Sequence, residues 1–178
     1  MLYNKILVAL DKSQQTSIVF EEALEMAHQC GSRLMLFHCM SSHFKDEPIP
    51  SIGTIADVDM YGSLLLQHKQ SLQKEIEQVR GWLENCSQQA NIRKIPAEFT
   101  HGFGNPGKQI CSLAKSWDAD LIILGRRGHK GIAEILLGSV SNYLLHHAYC
   151  SVLVVQQNVS ATKDKKPVTL TPVESDIS

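Results

Sequence analysis

The sequence predicts a three-layer α/β/α domain around a five-stranded parallel sheet. Five short runs of strand-forming apolar residues recur along the chain, and amphipathic helical patterns separate them. Glycine, proline and capping residues fall at the joins. Strict alternation of strand and helix leaves a parallel sheet with right-handed crossovers and helices on both faces.

The first strand is Lys5-Ile-Leu-Val-Ala-Leu10, closed by Asp11 with Ser13 following. A run apolar on both faces suits a central parallel strand. A helical pattern follows with Phe20, Ala23, Leu24 and Ala27 on one face, ending at Gly31 as its C-cap. Arg33–His38 is the second strand. Residues 41–61 carry Pro48, Pro50, Gly53 and mixed charge and are expected as a loop that closes over a ligand. Tyr61–Ala90 reads as a long helix packed on the sheet through Leu65, Leu72, Ile76, Val79, Leu83 and Cys86. Lys94–His101 is the third strand, and Pro96 within it favours an edge position. Asn105 and Pro106 open the next helix as N-cap and first residue, with Ile110, Leu113, Ala114 and Trp117 as its buried stripe. Asp120–Gly125 is the fourth strand, Ser139 to about His147 the last helix, and Ser151–Gln156 the fifth strand. One domain is expected over 1–157, with a disordered tail at 158–178.

Composition narrows the function. The 178 residues carry a formal net charge of −1, so no global field draws the chain to nucleic acid or an anionic membrane. No apolar run has the length of a membrane span. The five cysteines (Cys30, Cys39, Cys86, Cys111 and Cys150) form no C-x-x-C pair, and four sit in apolar patterns as structural thiols. That usage, with no signal-peptide pattern at Met1–Leu10, predicts a cytoplasmic protein.

Chemistry concentrates between the fourth strand and the last helix. Two residues separate Gly125 from Gly128, nine separate Gly128 from Gly138, and Ser139 follows. Glycine at a strand end admits close backbone approach and positive φ. Gly138 and Ser139 stand where the last helix begins, and its first N–H groups lack intrahelical partners. With the helix dipole they make an anion site. Ser139 and Ser141 add hydroxyls, and Arg126, Arg127, His129 and Lys130 add positive charge. The expected ligand group is a phosphate. If strand 1 is central, strands 1 and 4 are neighbours where the winding reverses, and Asp11 faces the glycine loop. There its carboxylate can bond a ribose hydroxyl or position a metal ion; its alternative role is that of a turn residue.

These residues resemble the universal stress protein family, in its ATP-binding branch. The resemblance spans residues 3–156 and rests on Ile6–Asp11, Leu36–Cys39, Ala119–Gly125 and the G-x2-G-x9-G-[ST] pattern at Gly125, Gly128, Gly138 and Ser139. It implies sheet order 3-2-1-4-5, as in adenine nucleotide alpha hydrolase-like folds, and a homodimer. It further implies adenine contacts from Ala9, Leu10 and Cys39, and an adenosine contact from Asp11. Leu124, Gly125, Arg127 and Gly128 would line the first half of the loop. Gly138, Ser139, Val140 and Ser141 would hold the phosphates. Cys39 stands where the family usually has valine, so its contact would be through backbone and shape.

No G-x4-G-K-[ST] is present, and no G-x-G-x-x-G follows the first strand, which sets aside P-loop and dinucleotide machinery. A nucleotide-binding module that changes conformation or partners with ATP, AMP or a cyclic adenine nucleotide ranks first. A slow ATP hydrolase ranks second, with His129 its best candidate for chemistry and Mg2+ or Mn2+ accompanying the phosphates. A pure interaction scaffold ranks third. The apolar strand Val152–Val155 is expected at a sheet edge, pairing two copies.

Overall fold

The structure is a computed structural model that describes residues 3–40, 55–126 and 137–156, with backbone only over 55–61. The elements run β1 (Lys5–Ala9), α1 (Thr16–Cys30), β2 (Arg33–Met40), α2 (Ile55–Ile92), β3 (Ala97–Phe103), α3 (Pro106–Trp117), β4 (Leu121–Gly125), α4 (Ser139–His147) and β5 (Ser151–Val155). All pairings are parallel and the strand order is β3-β2-β1-β4-β5. The expected class and order therefore hold.

Side chains on successive strand residues point to opposite faces, and both faces are buried. Ile6, Val8, Leu34, Leu36 and Ile123 pack with Val19, Phe20, Ala23 and Leu24 of α1 and Val79, Leu83 and Cys86 of α2. The alternate residues Leu7, Met35, Phe37, Ile122 and Leu124 pack with Ile110 and Ala114 of α3 and Leu144 of α4. Leu113 and Trp117 lie half-buried at the edge of that second cluster. Each fully buried aliphatic side chain contributes roughly 1.5–3 kcal/mol of transfer free energy.

Local signals act as expected at α1 and α3. Gly31 takes φ 65° at the end of α1 and its N–H reaches the Ala27 carbonyl. The Asn105 side chain accepts from the Lys108 N–H at 3.1 Å, with Pro106 next in the helix.

Three expectations need correction. Pro96 lies outside β3, which begins at Ala97; its carbonyl accepts from the Leu34 N–H at 2.8 Å, and β3 is indeed an edge strand. Helix α2 begins at Ile55, inside the segment expected as loop, because no proline or glycine follows Gly53 until Gly62. The upper part of its apolar stripe is also not packed on the sheet. Val79, Leu83, Cys86 and Ala90 are buried, but Leu65 is 49% exposed and flanked by exposed Leu64 and Leu66. The reason is length. A helix of 38 residues spans about 57 Å, whereas the longest strand, of 8 residues, spans about 26 Å. The rest of the 41–61 segment and the 158–178 tail lie outside the described residues.

Candidate functional site

The strand order places the reversal of winding between β1 and β4, with Ala9 paired to Phe37 on one side and Leu124 on the other. A cleft of about 430 Å3 opens beyond the carboxyl ends of these strands. Ligands of α/β sheets bind at this location, and the volume suits a small molecule. Ala9, Leu10, Asp11, Cys39, Leu124, Gly125, Gly138, Ser139, Val140 and Ser141 all line it. Arg127, Gly128, His129 and Lys130 lie outside the described residues. Arg126 is half-buried beyond β4 and is not among the lining residues; its N–H bonds the Val155 carbonyl at 3.0 Å.

One wall is the amino end of α4. Gly138 is the N-cap, extended at φ −60° and ψ 158°, and no side chain among the described residues caps the helix. The first helical bond runs from the Asn142 N–H to the Gly138 carbonyl at 2.9 Å. The amides of Ser139, Val140 and Ser141 therefore precede the ladder, at the positive end of the dipole. The Ser141 hydroxyl differs from expectation. It is buried and donates to the Gly138 carbonyl at 2.9 Å, so its backbone amide is the donor left for an anion.

Gly125 also departs from its expected reason. It is not among the described positive-φ glycines, which are Gly31 and Gly104. A Cβ there would meet Val19 Cγ2 at 3.0 Å, so its small size admits α1 against the strand end.

Asp11 is a turn residue and a cleft residue at once. Its Oδ1 accepts from the Ser13 N–H at 3.1 Å and lies 3.2 Å from the Thr16 hydroxyl, which also bonds the Asp11 carbonyl. These bonds hold its carboxylate at the cleft mouth as α1 begins.

The opposite wall comes from β2 and its neighbours. Cys39 donates its thiol to the Gly104 carbonyl at 3.5 Å, and burial raises its pKa above the ordinary thiol value. Its side chain helps shape this wall of the cleft. Gly104, at φ +103°, returns its N–H to the Met40 carbonyl at 3.2 Å and so closes the β3–α3 turn over the end of β2. His38 bonds the Leu10 carbonyl through Nδ1 at 2.8 Å and meets the Trp82 ring edge-on, centroids 5.4 Å apart.

Lys12, Ser13, Phe37, His38, Met40, Glu75, Pro106 and Ile110 also line the cleft and were not foreseen there. The Leu36–Cys39 pattern pointed at the end of β2, but nothing local in the sequence brings Glu75 of α2 to it. Among the described residues no three His, Cys, Asp or Glu side chains converge as metal ligands.

Comparison with known proteins places this geometry. The universal stress protein family model matches residues 2–156. Universal stress protein Sll1388 of Synechocystis sp. is 41% identical over 157 residues, 88% of this chain and 99% of that protein. The solved structure of hypothetical protein MJ0577 aligns with TM-score 0.66 at 22% identity, over 90% of this chain and all of that one. A universal stress protein family member from Arabidopsis thaliana, solved with AMP bound, aligns with TM-score 0.54 at 20% identity, over 89% of this chain and 95% of that one. With the family match spanning both walls of the cleft and all five strands, the chain belongs to the universal stress protein family.

Proposed function

We propose that this protein is a nucleotide-binding module that holds ATP or a related adenine nucleotide in the cleft beyond β1 and β4. The observation that carries the reading is the uncapped amino end of α4 facing the same cleft as Asp11 and the ends of β1 and β2. The α4 amides suit phosphates. Asp11 suits a ribose hydroxyl, and Ala9, Leu10 and Cys39 suit the flat base. Arg127 and Gly128 complete the proposed loop. Proteins of the same fold support the ligand class: besides the AMP complex, universal stress proteins have been solved with cAMP and with dAMP.

Mg2+ or Mn2+ would neutralise phosphate charge if ATP is the ligand. With no cluster of three candidate ligands among the described residues, the phosphates would supply most of its coordination, with the Asp11 carboxylate in the same cleft. The protein acts in the cytoplasm, where bound nucleotide changes its conformation or its partners. Two copies pair along β5, the sheet edge opposite β3, whose Val152–Val155 side chains are half-buried in the single chain. No described helix is long and apolar enough to cross a membrane.

Mass spectrometry of nucleotide carried through purification, followed by calorimetry with ATP, ADP, AMP and cAMP, tests the reading. The expected result is one adenine nucleotide per chain, lost when Gly138 is replaced by leucine. Absence of any binding refutes it, and Gly138→Leu with unchanged affinity favours an interaction scaffold. Saturable phosphate release would move the assignment to an ATP hydrolase.

A further inference from the structure

The end of β2 carries a histidine with one nitrogen committed and the other open. His38 Nδ1 lies 2.8 Å from the Leu10 carbonyl oxygen. A carbonyl oxygen only accepts, so Nδ1 carries the proton. Neutral His38 then presents Nε2 as a lone-pair acceptor. Among the described residues no hydrogen bond reaches Nε2. Among the described residues no buried side-chain nitrogen or oxygen lacks one either, so Nε2 is accessible. His38 is among the residues that line the cleft, and the Trp82 ring, edge-on at 86°, restricts how the imidazole can turn. The phosphate-facing amides of α4 form a different wall, which leaves the β2 side for the base.

We infer that His38 determines base specificity: its Nε2 accepts a hydrogen bond from the exocyclic amine of a 6-aminopurine. A 6-oxopurine presents an acceptor at the same position, so two acceptors oppose each other and an unpaired polar group is left in the cleft. The inference rests on the nucleotide reading above and adds what that reading does not contain, a side chain that separates adenine from hypoxanthine.

Calorimetry with ATP and ITP on the full chain tests it, using wild type, His38→Asn and Glu75→Gln. Asparagine can donate from Nδ2 to the Leu10 carbonyl but has no group at the Nε2 position. Wild type is expected to bind ATP at least about tenfold more tightly than ITP. His38→Asn should bring that ratio to about one by weakening ATP alone, with an unchanged thermal midpoint reporting the retained Leu10 bond. Glu75→Gln, at another side chain of the cleft that could accept from an amine, should keep the wild-type ratio. A wild-type ratio near one overturns the inference with no variant needed, as does a ratio retained in His38→Asn or lost in Glu75→Gln. A wild type that binds neither nucleotide refutes the nucleotide reading itself.

Discussion

Gly107 in the first turn of α3 gives a sharp test of how α4 is held. It is buried, and a Cβ at this position would lie 2.5 Å from Tyr143 Cδ1, 2.9 Å from Cγ and 3.2 Å from Cβ. Two of these distances are below any real contact. The atoms belong to the base of the Tyr143 side chain, and its ring is stacked on His147 at 4.0 Å, so it cannot swing aside without loss. Gly107→Ala therefore sets two effects against each other. Helix propensity favours alanine by up to about 1 kcal/mol. Overpacking costs about 1–3 kcal/mol, and with two such distances the upper half of that range applies. The net expectation is a loss of about 1–2 kcal/mol. At a urea slope near 2 kcal/mol/M this lowers the unfolding midpoint by roughly 0.5–1 M. In a Tyr143→Ala background the two shortest contacts are gone and only the residue 143 Cβ, at 3.2 Å, remains, so the same Gly107→Ala change should cost about 1 kcal/mol less than in wild type and come close to neutral. A Gly107→Ala midpoint equal to wild type, or an equal loss in both backgrounds, refutes the account of the α3–α4 contact.

Three further outcomes follow from single residues. Asp120 accepts from the Asn4 N–H at 2.8 Å and the Lys5 N–H at 2.9 Å, and these bonds, with the Lys5 charge, hold its carboxyl below the ordinary aspartate pKa. Its stabilisation is present above the unfolded pKa and is lost as pH falls through the lower folded value. Asp120→Asn should flatten the acid limb of an unfolding titration below about pH 4, and an unchanged limb contradicts the assignment. Burial pushes the Cys86 thiol up to about 11, so alkylation at neutral pH should label it only on unfolding; labelling in the native state counts against this packing. Asn105→Ala removes the cap on the Lys108 amide and should cost about 1 kcal/mol in denaturant unfolding.

The sheet was legible because a parallel sheet buried on both faces writes itself as uninterrupted apolar runs, as in Ile6–Leu10 and Leu121–Leu124. Helix ends marked by Gly31, Asn105 and Pro106 could be read for the same local reason. Where α2 leaves the core could not, because the 3.6-residue pattern continues past the point where the sheet ends. On the cleft, Ala9–Asp11, Cys39, Leu124, Gly125 and the α4 start were foreseen as lining residues, since topology gathers strand ends and that helix start, although Phe37, His38 and Met40 at the same end of β2 were missed. Glu75 and Pro106 were not foreseen either, because they arrive through packing between elements distant in the chain. The reason for Gly125 was hidden likewise, in a contact with Val19 that no local pattern encodes. Ser141 was misjudged through a bond within its own turn: a hydroxyl three residues after Gly138 reaches that carbonyl more readily than a ligand.

The central claim is that the first amides of α4 grip an anion in the cleft. Amide chemical shifts of 15N-labelled protein titrated with ATP measure it most directly. Ser139, Val140 and Ser141 should shift most, together with Asp11 and Leu10 across the cleft. Saturable binding that leaves those amides unmoved would contradict the account.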